Sequence, residues 1–332
     1  MKFGDLIGQS AWTGRLRSAL AAGRIVHAYL ICAPAGGGKS LLADLLAQAL
    51  LCQDPRQGEP CGACHNCRMA ASGNHPDLIR LAPEGNSLPV EAIRALQEEM
   101  AVQAYLGGRR VVILDQAHRM TPQAQNALLK TLEEPPEGVV LLLLSASAAQ
   151  LLPTVRSRCQ LIQLRPVPDE AGQAALIARG VPAERAALCL RLAGGWLGAA
   201  QALAEDEAAQ KRRAAAMAKW RAAADRPEAQ ALLEQVTLWS KQDRAELTAM
   251  LSTWVSLWRD ALALCEGARR IVNLDAAEDL SRAAERAGGA SLARILEKTR
   301  QTAQSVAGNA QGALALDELL LDIMEEQQTW LW

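Results

Sequence analysis

The sequence lacks a charge excess of either sign: 35 Lys and Arg stand against 36 Asp and Glu, a formal net charge of −1 over 332 residues. A chain so balanced carries no global basic field, so any contact with DNA has to come from a local patch or from partner subunits. Long apolar runs are missing as well. None approaches the ~18 residues that read as a membrane span, and Met1-Lys2-Phe3-Gly4-Asp5 opens no apolar core of signal-peptide length. The expectation is a soluble, cytoplasmic protein with no membrane partner. In that compartment the eight cysteines are expected to be thiols or metal ligands and not disulfides. Internal repeats are also absent, and the alanine-rich run at 208–225 is helix-forming composition and not a low-complexity linker.

What is present divides the chain. Half of the residues are hydrophobic, enough for a sizeable core and for two or three domains. Residues 28–165 alternate apolar runs with helical patterns and hold most of the glycine and proline turns. After about Pro168 the chain becomes rich in Ala, Leu, Glu and Arg, with almost no strand signal. The pattern predicts an α/β domain over 1–166, then helical domains over 167–207 and 208–332.

The α/β part is organised around Leu30-Ile31-Cys32-Ala33-Pro34-Ala35-Gly36-Gly37-Gly38-Lys39-Ser40. Its left half reads as a buried strand, and the helical spacing of Leu41 to Leu46 follows Lys39-Ser40. Strand, glycine loop, Lys-Ser and helix are the layout of a phosphate-binding loop. In such a loop backbone N–H groups wrap the phosphates, the lysine reaches the outer ones and the hydroxyl holds magnesium. Gly36, Gly38, Lys39 and Ser40 are the candidate nucleotide residues. Ala33 occupies the place of the pattern's first glycine.

Downstream of the helix at 39–51 come Cys52 and then Cys61-Gly62-Ala63-Cys64-His65-Asn66-Cys67. Interleaved C-x-x-C pairs with a fourth cysteine upstream suit a closed tetrahedral site of four thiolates, structural because no position is left for water. Cys52, Cys61, Cys64 and Cys67 are therefore the candidate ligands of a structural zinc, within an insert at 52–67. His65 is a substitute ligand that four cysteines make unnecessary. With only Arg56 and Arg68 as nearby cations, the segment makes a poor nucleic-acid finger. His27, before the first strand, reads as a packing or capping residue.

Asp77–Leu81 and Arg109–Asp115 read as the second and third strands, with a helix between them from Val90 to Val102 started by Pro89. The third strand is a continuous apolar run of the kind buried on both faces. Asp115 falls at its carboxyl end, where open α/β sheets place ligand-binding groups and where a phosphate-loop protein holds magnesium. The next residue is Gln116. A working ATPase has glutamate there to deprotonate water, and losing a general base costs about 10²–10⁴ in rate. Thr121 as N-cap, Pro122 at the first helical position and Pro135-Pro136 delimit a helix. Val139–Leu144 and Gln160–Leu164 complete five strands.

Together the glycine loop, the four-cysteine insert, Asn126-Ala127-Leu128-Leu129-Lys130-Thr131-Leu132-Glu133-Glu134-Pro135-Pro136 and Ser157-Arg158-Cys159 resemble the bacterial clamp-loader subunits of the AAA+ superfamily. The resemblance covers residues 1 to about 165 by motif and the remainder by architecture. It implies a five-stranded parallel AAA+ domain, a small helical lid over 167–207 and an all-helical oligomerisation collar over 208–332. Arg158 matches the arginine that such subunits extend across an interface to a neighbour's ATP. The resemblance also implies partners: the ATP-hydrolysing motor subunits (gamma/tau), the delta subunit, and, through the complex, a sliding clamp and primed DNA in the DNA polymerase III holoenzyme. Motor subunits carry a cation at the start of a second-domain helix, where this chain has Gly198-Ala199, with Arg191 nearby but outside that position. Ala33, Gln116 and Gly198-Ala199 depart from a motor, and the chain length is that of the non-motor, stator-like member with no independent ATPase activity. Lys39, Ser40 and Asp115 keep an ATP- and magnesium-binding motor as the second reading. A zinc-dependent nucleic-acid binder is the third, disfavoured by the charge balance.

In the helical remainder Gly180, Pro182 and Gly194-Gly195 predict about three short helices before 205. Further on, Ala231 to Trp239 and Leu251 to Leu262 carry apolar residues at helical spacing. The tryptophans in them read as bundle core first and as partner surface second. Trp330 and Trp332 are expected to dock on the collar or on a partner.

Overall fold

In the computed structural model, which describes residues 2–106, 108–225, 239, 243–308 and 310–330, the five apolar runs pair into one parallel sheet. The strands are β1 (Ala28–Cys32), β2 (Leu78–Leu81), β3 (Arg110–Leu114), β4 (Val139–Ser145) and β5 (Gln160–Gln163), in the order β2-β3-β4-β1-β5. Every residue of β1, β3 and β4 is buried, as a parallel sheet with helices on both faces requires. The edge strands β2 and β5 stay partly exposed. Register runs Tyr29 against Leu142 on one side and against Gln160 on the other.

Side chains alternate across the sheet with period two. Tyr29, Ile31, Val111, Ile113 and Leu142 join one core with α1 (Ser10–Ala21) and α2 (Lys39–Leu51). A short third helix, α3 (His65–Ala71), begins within the cysteine insert and carries Cys67. Leu30, Cys32, Val112, Leu114, Leu141 and Leu143 join the other core with α4 (Val90–Ala101) and α5 (Pro122–Glu133). The start of α5 is as its sequence predicts: Pro122 takes the first turn, and Thr121 Oγ accepts from the Ala124 N–H. Strand bounds differ from expectation by one or two residues, β1 starting at Ala28 and β3 losing a residue at each end. The short helix α3 was not revealed by spacing, because its cysteines serve the cluster and the helix at once. Cys64 is its N-cap, with Sγ accepting from the Cys67 N–H.

A four-residue helix α6 (Pro153–Arg156) leads to β5, and α7 (Asp169–Ala178), α8 (Ala183–Leu192) and α9 (Leu197–Glu205) follow, the three short helices expected before 205. The chain divides into two compact units, Met1–Gly180 with Ala193–Gln201, and Val181–Leu192 with Ala202–Trp332. Residues 167–207 are thus shared between the two.

The second unit is helical among its described residues: α8, α10 (Glu207–Ala224), α11 (Arg244–Cys265), α12 (Ala277–Arg286), α13 (Gly289–Ala307) and α14 (Gly312–Gln327). Trp220, Trp254 and Trp258 are fully buried in its core. Trp220 and Trp258 lie 5.0 Å apart by ring centroid, and Trp239 meets Trp254 edge-on at 6.0 Å. Trp330 joins the same core, 6.4 Å from Trp258, and donates from Nε1 to Ser291 Oγ at 2.9 Å. These tryptophans are core. The expected helix over Ala231 to Leu238, and Trp332, lie outside the described residues.

One buried ion pair braces the open edge of the sheet. The Arg110 and Asp77 side chains are 6% and 1% exposed, with Nη2 3.3 Å from Oδ1. Arg110 also donates from Nη1 to the carbonyls of Glu99 and Val102, and Asp77 accepts from the N–H groups of Tyr105 and Leu106. Burial alone raises the Asp77 carboxyl, but those N–H groups and Arg110 outweigh it and hold it below its ordinary range. Removing one partner leaves the other buried and uncompensated. Asp77→Asn is expected to lower unfolding stability by about 3 kcal/mol at neutral pH, read by urea titration. A depressed carboxylate contributes fully above its unfolded pKa of about 3.9 and loses that contribution as pH falls through the folded value. The gap between Asp77→Asn and wild type should therefore close in strongly acid solution.

Candidate functional site

The phosphate loop sits at the carboxyl end of β1. Gly36 and Gly38 have φ of +70° and +85°, conformations that side chains disfavour. The methyl of Ala33 is accommodated because residue 37 has none: a Cβ on Gly37 would lie 2.5 Å from it. The loop is closed by residues of the same unit. The Gly198 N–H at the start of α9 donates to Gly36 O at 3.0 Å. A Cβ on Gly36 would fall 2.2 Å from the Ala199 nitrogen, and one on Gly198 would fall 2.7 Å from Gly36 O. The ring of Trp196 lies against Gly37. Lys39 is turned onto its own loop, Nζ donating to Ala33 O at 2.7 Å and Pro34 O at 2.8 Å. Burial lowers its pKa against the pull of Asp115. Ser40 is exposed in the first turn of α2.

Asp115 follows β3, and its Oδ1 accepts from the Gln116 N–H at 2.9 Å. Gln116 has φ +48° and is one of two non-glycine residues with positive φ among those described. Such strain clusters at functional positions, yet the amide has no basicity to offer. His118 belongs to the same corner and was not singled out by the sequence. Its Nδ1 accepts from the Ala146 N–H at 3.3 Å, and burial, then Arg119 and Lys39, lower its pKa. Arg191 is in the other unit, where Nη1 donates to Ile271 O at 2.7 Å. His27 offers its carbonyl to the Leu141 N–H and serves the sheet.

The Sγ atoms of Cys52, Cys61, Cys64 and Cys67 all lie within 4.8 Å of one another. The Cys61–Cys67 pair is 3.9 Å apart, close to the ~3.8 Å edge of a tetrahedron with metal–sulfur bonds of ~2.3 Å. Backbone N–H groups already point at the sulfurs: Cys61 N to Cys52, Cys64 N to Cys61 and Cys67 N to Cys64. Ala63 and Cys64 N–H groups hold the Cys61 thiol down to about 6, while burial pushes Cys67 upward. The donor set fits a structural metal. His65 stands outside it, at the start of α3. The knuckle is fastened to α2, since Gln48 Nε2 donates to Cys67 O and Asn66 Nδ2 to Leu51 O, each at 3.0 Å.

Arg158 lies on the other side of the sheet's geometry. Strands β1 and β5 are parallel, with Tyr29 opposite Gln160 and Cys32 opposite Gln163. Arg158 precedes the amino end of β5, whereas Gly36–Ser40 follow the carboxyl end of β1. Its Nη2 is 2.6 Å from Glu133 Oε1, and Nη1 donates to Thr154 O at 3.0 Å. Neighbouring Cys159 packs on the core, and burial pushes its thiol up to about 12.

A parallel sheet in the order β2-β3-β4-β1-β5, a glycine-rich loop after β1 and an all-helical region following in sequence are an AAA+-like fold. A family model described as "DNA polymerase III, delta subunit" matches residues 8–168. The chain is 35% identical over 313 residues to the DNA polymerase III subunit delta' of Escherichia coli, covering 92% of this chain and 91% of that one. It is 45% identical to the Pseudomonas aeruginosa subunit delta' over 51% of this chain and 53% of the relative. The E. coli subunit tau is 38% identical over 49% of this chain, which is 25% of tau. The chain belongs to the delta prime family of DNA polymerase III clamp-loader subunits.

The four-thiolate geometry makes a direct prediction. Reconstitution with Co(II) should give one metal per chain, with thiolate charge-transfer and tetrahedral d–d absorption, and Cys67→Ser should lose both bands. An octahedral spectrum, or no binding, would exclude the arrangement.

Proposed function

We propose that this chain is the stator-like, non-motor member of a clamp loader, working in the cytoplasm beside gamma/tau motor subunits and delta. It extends Arg158 to a neighbour's ATP and helps open a sliding clamp for loading on primed DNA. One observation carries the reading: Arg158 and the chain's own phosphate loop belong to opposite ends of the sheet. The strand between them alone spans roughly 13 Å at ~3.3 Å per residue, so Arg158 is directed to another subunit's phosphates. Its planar, permanently charged fork suits the γ-phosphate, a contribution of about 10³–10⁵ in rate in related enzymes.

The chain's own loop supports the non-motor half of the reading. Lys39 is spent on loop carbonyls, Gly36 is stitched to Gly198, and Gln116 supplies no base. Nucleotide at Gly36, Gly38, Lys39, Ser40 and Asp115 would require the lysine to turn and the Gly36–Gly198 contact to open. The alignment supports it too, spanning nearly all of a delta prime relative but a quarter of tau. Zinc is the metal we assign to Cys52, Cys61, Cys64 and Cys67, because four thiolates in a tetrahedron favour it and leave no open position. Residues 208–332 are assigned to the collar and 167–207 to the lid. The retained Lys39, Ser40 and Asp115 favour the second reading, a motor subunit.

ATP hydrolysis separates the two. The purified chain alone should turn over no ATP above background. Assembled with its motor partner it should support hydrolysis, and Arg158→Ala should lower that rate by about tenfold or more. Turnover by the isolated chain would remove the stator reading, and an unchanged rate in the Arg158→Ala complex would remove the donated arginine.

A further inference from the structure

Arg158 is held in place before any partner arrives. Nη2 is ion-paired with Glu133 and Nη1 donates to Thr154 O, so the guanidinium is held on two sides. Beyond these and a longer contact of Nη1 to Ser157 Oγ, its N–H groups make no bond among the described residues. Its backbone is fixed too, between α6 and the first residue of β5, with Cys159 packed on the core beside it. Glu133 is the last residue of α5, and Pro135-Pro136 stop the helix directly after it. The carboxylate therefore stands at a backbone position set by a helix packed through its inner face, and the negative end of that helix adds to its attraction for a cation.

The pair is not there for stability. The two side chains are 35% and 50% exposed, and ion pairs in such surroundings contribute little. What the contact does is remove rotamer freedom from a long side chain whose task is to meet a phosphate at one geometry. We infer that Glu133 is a positioning residue for Arg158, orienting the fork so that its remaining N–H groups face the neighbouring subunit's γ-phosphate. The inference rests on the reading of Arg158 as a donated arginine. Glutamine at 133 keeps an oxygen in the place that meets Nη2 and alanine removes it, so glutamine should keep the function and alanine lose it.

The test uses the assembled complex with its motor subunits, with steady-state ATP hydrolysis read as kcat and KM. The variants are Glu133→Ala, Glu133→Gln, Arg158→Ala and the double Glu133→Ala/Arg158→Ala, each checked for co-elution with the complex. Glu133→Ala is expected to lower kcat about tenfold with KM for ATP unchanged, the scale of a misplaced catalytic contact. Glu133→Gln should retain most of the rate, and the double variant should match Arg158→Ala, because the glutamate acts through the arginine. A Glu133→Ala complex as fast as wild type, or faster, overturns the inference, the latter by showing that Glu133 restrains the arginine. So does a Glu133→Ala defect that persists undiminished on the Arg158→Ala background, or a Glu133→Gln complex as slow as Glu133→Ala. If Arg158→Ala itself leaves the rate unchanged, the reading of Arg158 fails first.

Discussion

The pairing of β1 with β4 on one side and β5 on the other is the constraint from which the rest follows. Because the strands are parallel, the carboxyl end of β1 and the amino end of β5 lie at opposite ends of the sheet. The phosphate loop is continuous with the first, and Arg158 with the second. No rotamer of an arginine bridges a strand's length, so the two halves of an ATP site cannot be completed within one chain. Subunits of this design complete sites in head-to-tail contacts, where each copy or relative offers one face as receiver and the opposite face as donor. On the reading proposed for Arg158, a chain whose own loop is closed by Gly198 fits one end of such a row.

The phosphate loop shows how a motif can be kept for reasons other than its ligand. Gly36 and Gly38 need positive φ, and Gly36, Gly37 and Gly198 need the absence of a Cβ to let α9, Trp196 and Ala33 approach. Each of these glycines would be required with no phosphate present. Ala33 is the reciprocal case, a methyl admitted only because Gly37 faces it. A cation at position 198 has no room against Gly36 O, which is a steric reason for the departure from the motor pattern. The loop therefore holds β1, α2 and α9 together as a packed joint.

Much of this was legible in the sequence, and the parts that were not share a cause. Strands β1, β3 and β4 are continuous apolar runs because both faces are buried, and α5 announces itself through Thr121, Pro122 and Pro135-Pro136. The cysteine cluster was legible because metal ligands in one short segment impose their own spacing. Glu133 as the partner of Arg158 was not, since 25 residues separate them and only the parallel return of β4 and β5 brings them together. The same holds for Gly198 on Gly36 and for Arg191, whose engagement with Ile271 O depends on helices distant in sequence. For the tryptophans, helical spacing marks a buried stripe but does not say whether the cover is the same chain or a partner. Here Trp220 and Trp330 both pack on Trp258, and Trp254 packs on Trp239.

Helix α2 ties the metal knuckle to the phosphate loop. Its first residue is Lys39, and near its end Gln48 donates to Cys67 O while Leu51 O accepts from Asn66 of the knuckle. Between them nine of its residues are buried, so the helix behaves as a rod about 20 Å long gripped at both ends and along one side. Four thiolates, given a divalent ion, would fix the far end without touching the loop at the near one. In a motor such a rod would carry a phosphate-dependent strain away from the loop. In this chain the loop is closed by α9, and the knuckle bonds, the buried face and the Gly198 contact all bear on the same helix. That helix packs on β1, and β1 in turn pairs with β5, ahead of which Arg158 emerges.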